Sequence, residues 1–144
     1  MSPSRQKRKG SDWERLAVKI LNEHIKDSKW TKVAGSGAIG TIINEPMLMG
    51  DIRGNVDSIP KKFKVEAKVG YSNRKEGSAK SFTLKKEWLD KIKEEAETDY
   101  SIPFLIGKFD SVREGTKAFT VLDIDTFIWL INYITELKEE LENE

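Results

Sequence analysis

The sequence predicts an α/β fold, a single domain in which a mixed central β-sheet is flanked by helices and followed by a C-terminal helix. Three observations carry this reading. In Lys62–Val69, Phe63, Val65, Ala67 and Val69 alternate with Lys64, Glu66 and Lys68, the period-two pattern of a strand. Trp13, Leu16, Ala17, Ile20, Leu21 and His24 fall at the spacings of one helix face. The patterned segments follow in the order helix, three strand-like segments, helix, strand, strand, helix, which packs naturally as one sheet with helices against it.

The elements follow in order. Residues 1–10 have four positive charges and no apolar periodicity, and they read as a flexible basic arm ahead of a domain spanning 11–144. The first helix is expected from about Ser11 to Asp27-Ser28, with Ser11 as N-cap and Glu14 three residues on, a capping box. A short strand is expected over 30–34, then a glycine-rich turn, Gly35-Ser36-Gly37-Ala38-Ile39-Gly40. Residues 41–49 are apolar but broken by Asn44-Glu45-Pro46 and read as a hairpin or loop excursion. Asp51–Asp57 reads as a strand plus turn, and residues 70–81 as a polar, basic loop. A helix is expected from Leu84 to Glu97, with Leu84, Trp88, Leu89, Ile92 and Ala96 on one side. Pro103–Phe109 reads as a buried central strand and Ala118–Leu122 as another. Asp125 is expected to cap a last helix reaching about Leu141. Phe127, Ile128, Trp129, Leu130, Ile131, Tyr133 and Ile134 cover almost its whole circumference, so it should be buried within the domain or against a partner.

Composition bounds the chemistry. The chain has 144 residues, the size of one domain. It has no cysteine and one histidine, His24, which excludes disulfides, thiolate zinc sites and cysteine nucleophiles, and leaves His24 as a half-buried helix residue. No apolar run approaches the roughly 20 residues of a membrane span. The basic N-terminus is followed by no apolar stretch, so a secretory signal is not expected and a cytoplasmic protein is. The net charge of +1 conceals an asymmetry: residues 61–93 carry 11 basic and 4 acidic side chains, residues 94–144 carry 4 and 13. A cationic cluster in mid-chain suits a phosphate-bearing partner.

Glu66 and Lys68 are two apart in the clearest strand and so emerge on one face. Asp51 opens the preceding strand-like segment. If the two segments pair, one carboxylate from each meets beside an ammonium. Two hard oxygen ligands are a minimal site for Mg²⁺, and a lysine beside them can offset charge developing at phosphorus. The pattern is that of metal-dependent phosphodiester hydrolysis. Acid-x-Lys alone is a weak signal, with about three matches expected by chance. Three occur, at Asp27–Lys29, Glu66–Lys68 and Glu136–Lys138, and only the middle one lies in an alternating strand behind an earlier aspartate.

Here the sequence resembles the PD-(D/E)XK nucleases, whose core runs α-β-β-β-α-β. More narrowly it is similar to the archaeal Holliday junction resolvases and their phage and viral relatives. The matching pieces are Arg8-Lys9-Gly10-Ser11-Asp12-Trp13-Glu14-Arg15, Gly35-Ser36-Gly37-Ala38, Gly50-Asp51-Ile52 and Val65-Glu66-Ala67-Lys68, in the family's order, over about residues 7–110. Gly50 stands where the superfamily's name-giving proline would be. The resemblance implies a Mg²⁺-dependent endonuclease, with Mn²⁺ able to substitute, that cleaves four-way DNA junctions as a homodimer and leaves a 5′-phosphate and a 3′-hydroxyl. It implies catalytic roles for Glu14, Asp51, Glu66, Lys68 and Ser36, with Asp51, Glu66 and Glu14 on the metal. Neither a small-molecule cofactor nor a membrane is expected.

Lys61, Lys62 and Lys64 precede the acid-x-Lys site, while Tyr71, Arg74, Lys75 and Lys80 lie in the loop after it. Arg5, Lys7, Arg8 and Lys9 extend the basic footprint, and all are candidate DNA contacts. The alternatives are a restriction-type or nicking endonuclease of the same core, against which the lack of an added specificity domain counts, and a non-catalytic DNA-binding protein, against which the intact Asp51, Glu66 and Lys68 count.

Overall fold

The computed structural model describes residues 5–33, 51–70, 81–110 and 114–144, with side chains from Arg8 onward. The expected Ser36 turn, the 41–49 excursion and the loop carrying Tyr71, Arg74, Lys75 and Lys80 lie outside the described residues. The element order is α1 (Arg5–His24), β1 (Ser28–Lys32), β2 (Ile52–Val56), β3 (Phe63–Val69), α2 (Lys86–Glu97), β4 (Ile102–Lys108), β5 (Ala118–Val121) and α3 (Ile124–Glu142). This is the expected order and the expected α/β class.

The five strands form one mixed sheet in the order β1-β2-β3-β4-β5. All neighbours are antiparallel except β3 and β4, which run parallel. A parallel pair needs a crossover connection, and α2 supplies it, packing on both strands. Helix α1 covers the opposite face through Trp13, Ala17 and Leu21, all buried, against Phe63, Val65, Phe104 and Ile106. The indole of Trp13 donates to the Ile106 carbonyl at 3.2 Å, anchoring α1 over β4. Gly54 makes room in this layer, because a Cβ there would lie 2.2 Å from the Trp30 ring.

Several expectations are corrected. Helix α1 begins at Arg5, so most of the supposed arm is helical, tied down at Lys9 by a 2.8 Å ion pair with buried Asp110. Ser11 is therefore inside the helix, and the Ser11–Glu14 capping box does not exist. Leu16 and Ile20 are exposed, so the buried stripe of α1 is the narrower Trp13-Ala17-Leu21 row. The cap of α3 is Asp123, not Asp125; its carboxylate accepts from the Thr126 amide and hydroxyl. No residue of α3 is fully buried. It meets the body through half-buried Trp129 and Leu130 and through Tyr133, whose hydroxyl donates to the Ser58 carbonyl at 2.6 Å. Ile124, Phe127, Ile128, Ile131 and Ile134 remain exposed.

Candidate active site

Both faces of β3 are covered, as a strand in a parallel pair requires. Of the alternating charges, Lys64 and Glu66 are thus buried beneath α2, while Lys68 is half-buried at its edge. Lys64 is 3% exposed, its ammonium donating to the Glu95 carbonyl at 3.1 Å and pairing with Asp99 at 3.1 Å. It fastens the C-terminal end of α2 to β3 and is not a surface cation for DNA.

Toward the other end of β3 the strands assemble a cluster of opposite character. Antiparallel pairing of β2 with β3 continues past Ile52 as Asp51 donates its backbone N–H to the Val65 carbonyl at 3.0 Å. The Asp51 carbonyl accepts from Val33 at 2.9 Å, and its Oδ2 accepts from the Ala67 amide at 2.9 Å. Backbone and carboxylate of Asp51 are both fixed, beside Glu66. Glu66 is 2% exposed. Its Oε1 lies 3.4 Å from the Lys68 ammonium and its Oε2 3.8 Å from that of Lys91 on α2, yet Oε2 has no hydrogen-bond partner among the described residues. Lys68 also sits over the Trp88 ring, 4.8 Å from its centroid. Glu14 reaches the cluster from α1, with its Oε2 3.1 Å from Lys32, the last residue of β1. Asp51, Glu66 and Lys68 are thus together, and Glu14 stands at their edge.

The electrostatics are those of crowded buried carboxylates. Burial pushes the Glu66 carboxyl up to about 7; the Asp51 charge adds to this, and Lys91 and Lys68 only partly offset it. Glu14 is raised for the same two causes in the same order, against the pull of Lys32 and Lys68.

Among the described residues no group of three or more His, Cys, Asp or Glu side chains is set to hold a metal ion. Of the expected trio of Glu14, Asp51 and Glu66, Glu14 is engaged by Lys32 at 3.1 Å. The remaining pair does fit a hard divalent cation. Both members offer oxygen donors, and the buried Oε2 of Glu66, which accepts no hydrogen bond among the described residues and lies beside the Asp51 charge, is what a bound cation would relieve.

The other expected residues scatter. Arg8 is exposed on the first turns of α1, and Arg5 and Lys7 lie in the same helix. Lys9 is spent on Asp110. Lys61 and Lys62 precede β3 and so lie at the opposite end of that strand from Lys68; Lys61 covers the Trp129 ring at 4.9 Å. His24 is exposed rather than half-buried. Sequence reasoning missed Lys32 and Lys91. Lys91 was findable, being three residues from Trp88 and one from buried Ile92 on α2. Lys32 had no signal.

In fold the chain is similar to Hjc from Archaeoglobus fulgidus, a Holliday junction resolvase from an archaeal hyperthermophile, with a TM-score of 0.48 and 14% identity over 84% of this chain and 88% of that one. No curated protein matches the chain. The family described as "Phage putative PDDEXK endonuclease" matches residues 5–140, nearly the full length. The chain belongs to that family, and is a nuclease of the PD-(D/E)XK type.

Proposed function

We propose that this chain is a Mg²⁺-dependent endodeoxyribonuclease that resolves four-way DNA junctions by paired nicks, acting as a homodimer. The observation that carries the hydrolytic part is the buried Asp51–Glu66 pair, with a Glu66 oxygen that accepts no hydrogen bond among the described residues and Lys68 alongside. The junction preference is supported by the order of the sequence motifs from Arg8 to Lys68. The dimer is supported by the exposed apolar face of α3.

In this reading Asp51 and Glu66 hold the cation, and Mn²⁺ substitutes for Mg²⁺. When bound, the cation supplies Lewis-acid activation of the phosphate and a lowered pKa for water. Asp51 is pre-positioned by the Ala67 amide, so its carboxylate costs little reorganisation when it engages. Lys68 is anchored on one side by Glu66 and on the other by Trp88, which keeps its charge at the carboxylates, where it offsets the negative charge growing on the phosphoryl oxygens. Water attacks phosphorus in line, the bond to the 3′ oxygen breaks, and the products are a 5′-phosphate and a 3′-hydroxyl. Glu14 is assigned a supporting charge at the edge of the pair, and Ser36 a contact from the glycine-rich turn. Arg5, Lys7, Arg8, Tyr71, Arg74, Lys75 and Lys80 are assigned to DNA phosphates.

The test is incubation with labelled four-way junction, linear duplex and single strand, with and without Mg²⁺. Symmetric Mg²⁺-dependent nicks in the junction are expected. Equal cutting of linear duplex would point instead to a restriction-type or nicking enzyme, and binding without cutting in any divalent cation to a non-catalytic DNA-binding protein.

A further inference from the structure

Helix α2 covers β3 and β4, and among the described residues no helix packs on the same face of β1 and β2. Register places Thr31 beside Arg53 and Arg53 beside Lys64, with Lys29 beside Asn55. These residues share the sheet face that carries Asp51 and Glu66. Together with Lys62 and Ser101 they line a groove of about 220 Å³ whose floor is β1–β2 and whose wall is the turn that follows α2, at Asp99 and Ser101. Its charge is one-sided. The Asp99 carboxylate on its rim is taken by Lys64. Lys29, Arg53 and Lys62 are exposed, and none of them is in an ion pair among the described residues. Arg53 lies two residues from Asp51 and Lys62 four from Glu66, about 7 and 13 Å along their strands.

We propose that this groove is a phosphate-binding track for the arm of the DNA substrate that flanks the cut, with Lys29, Arg53 and Lys62 as its cations and Thr31 and Asn55 as neutral donors. The proposal rests on the nuclease reading above and extends it to a surface beside the carboxylates on the same sheet. A separation of 7–13 Å is about two to four nucleotides of a duplex strand, so one strand could engage the carboxylates and the track together. Exposed lysines on an open sheet face read no base edges, so the contact is independent of sequence.

The experiment measures the affinity of the full chain for a labelled linear duplex and a labelled four-way junction in EDTA, as a function of salt. The variant Lys29→Gln/Arg53→Gln/Lys62→Gln should lower the slope of log K against log salt by about 2–3 on both probes. A control with the same charge change on exposed positions elsewhere, Lys19→Gln/Lys26→Gln/Lys117→Gln, should lower it by less than about 1. The variant Lys29→Arg/Arg53→Lys/Lys62→Arg should restore the steep slope. An unchanged slope in the first variant, or an equal loss in the first and the control, would overturn the track. Because the readout needs no hydrolysis, the two ideas fail separately. A wild type that binds steeply through these residues but never cuts removes the nuclease reading and leaves the track; one that cuts while the first variant keeps its slope removes only the track.

Discussion

Lys32, at the end of β1, holds the Glu14 carboxylate of α1 at 3.1 Å, and the same ammonium donates to Ser11 Oγ at 3.2 Å. This contact ties the first helix to the strand end where Asp51 begins. The Glu14 carboxyl is nonetheless raised, by burial first and by Asp51 second. Glu14 therefore senses the Asp51 charge, although Lys32 is its ion-pair partner.

That arrangement makes Glu14→Gln informative. Glutamine keeps the shape and an acceptor for Lys32 and removes a charge that burial already disfavours. Stability should change by less than about 1 kcal/mol. Junction cleavage should fall about tenfold or more, the size of one interaction worth about 1.4 kcal/mol in the transition state. A thermal melt and a single-turnover rate on the same protein check both; a normal rate would leave Glu14 as a clamp for Lys32 only.

Asp51→Asn and Glu66→Gln should each reduce cleavage about a thousandfold or more, because each removes a charged oxygen donor worth several kcal/mol of charge stabilisation. Asparagine can still accept from the Ala67 amide, so the β2–β3 junction survives. DNA binding in EDTA should persist, since it is assigned to cations elsewhere. Gel-shift and cleavage assays on the same preparations separate the two.

The elements of this fold were legible because their signals are local. Trp13, Ala17 and Leu21 repeat at helix spacing, and Phe63 to Val69 alternate as a strand must. Asp51, Glu66 and Lys68 were legible as a set for the same reason, since one register brings them together. What was not legible depends on the second layer. Nothing local says that α2 will close over the charged face of β3, and so Lys64 reads as a surface cation although it is a buried clamp. The Arg5–Gly10 turns have no apolar residue, so only their contact with distant Asp110 betrays the helix. Lys32 meets Glu14 across 18 residues of chain, through tertiary packing alone.

The Glu66 environment also sets a pH dependence. Its carboxyl titrates near 7 in the fold against an ordinary 4.5, so between these values the folded state holds the extra proton and stability falls as pH rises. The contribution is fully present below 4.5 and lost above 7, about 3 kcal/mol at most. In EDTA the melting temperature should therefore drop by several degrees from pH 5 to pH 8. Glu66→Gln should flatten this profile and be the more stable protein at pH 8. Added Mg²⁺ should raise the wild-type melting temperature more at pH 8 than at pH 5, because cation and proton compete for one carboxylate. Calorimetric melts of the two proteins across this range decide it; a wild-type profile parallel to the mutant's would place the Glu66 titration elsewhere.

The exposed face of α3 bears on how the proposed paired cuts would be coordinated. Ile124, Phe127, Ile128, Ile131 and Ile134 present a continuous apolar strip, while Trp129 and Tyr133, stacked at 5.3 Å, secure the opposite side to the body. A strip of this kind on an otherwise charged chain suits self-association, and two copies related by a two-fold axis would use the same residues on each side. In the proposed dimer, Ile128→Glu/Ile131→Glu places like charges on both sides of the interface. Both positions are already exposed, so the monomer should melt within a few degrees of wild type. Sedimentation should show the wild type as a dimer and the variant as a monomer. The catalytic cluster is built from one chain, so the monomer should still nick. Its two nicks would come from independent encounters, and a singly nicked junction on a supercoiled cruciform substrate should accumulate where the wild type yields linear product. A monomeric wild type, or a monomeric variant that still linearises the cruciform in one binding event, would detach α3 from the paired cleavage.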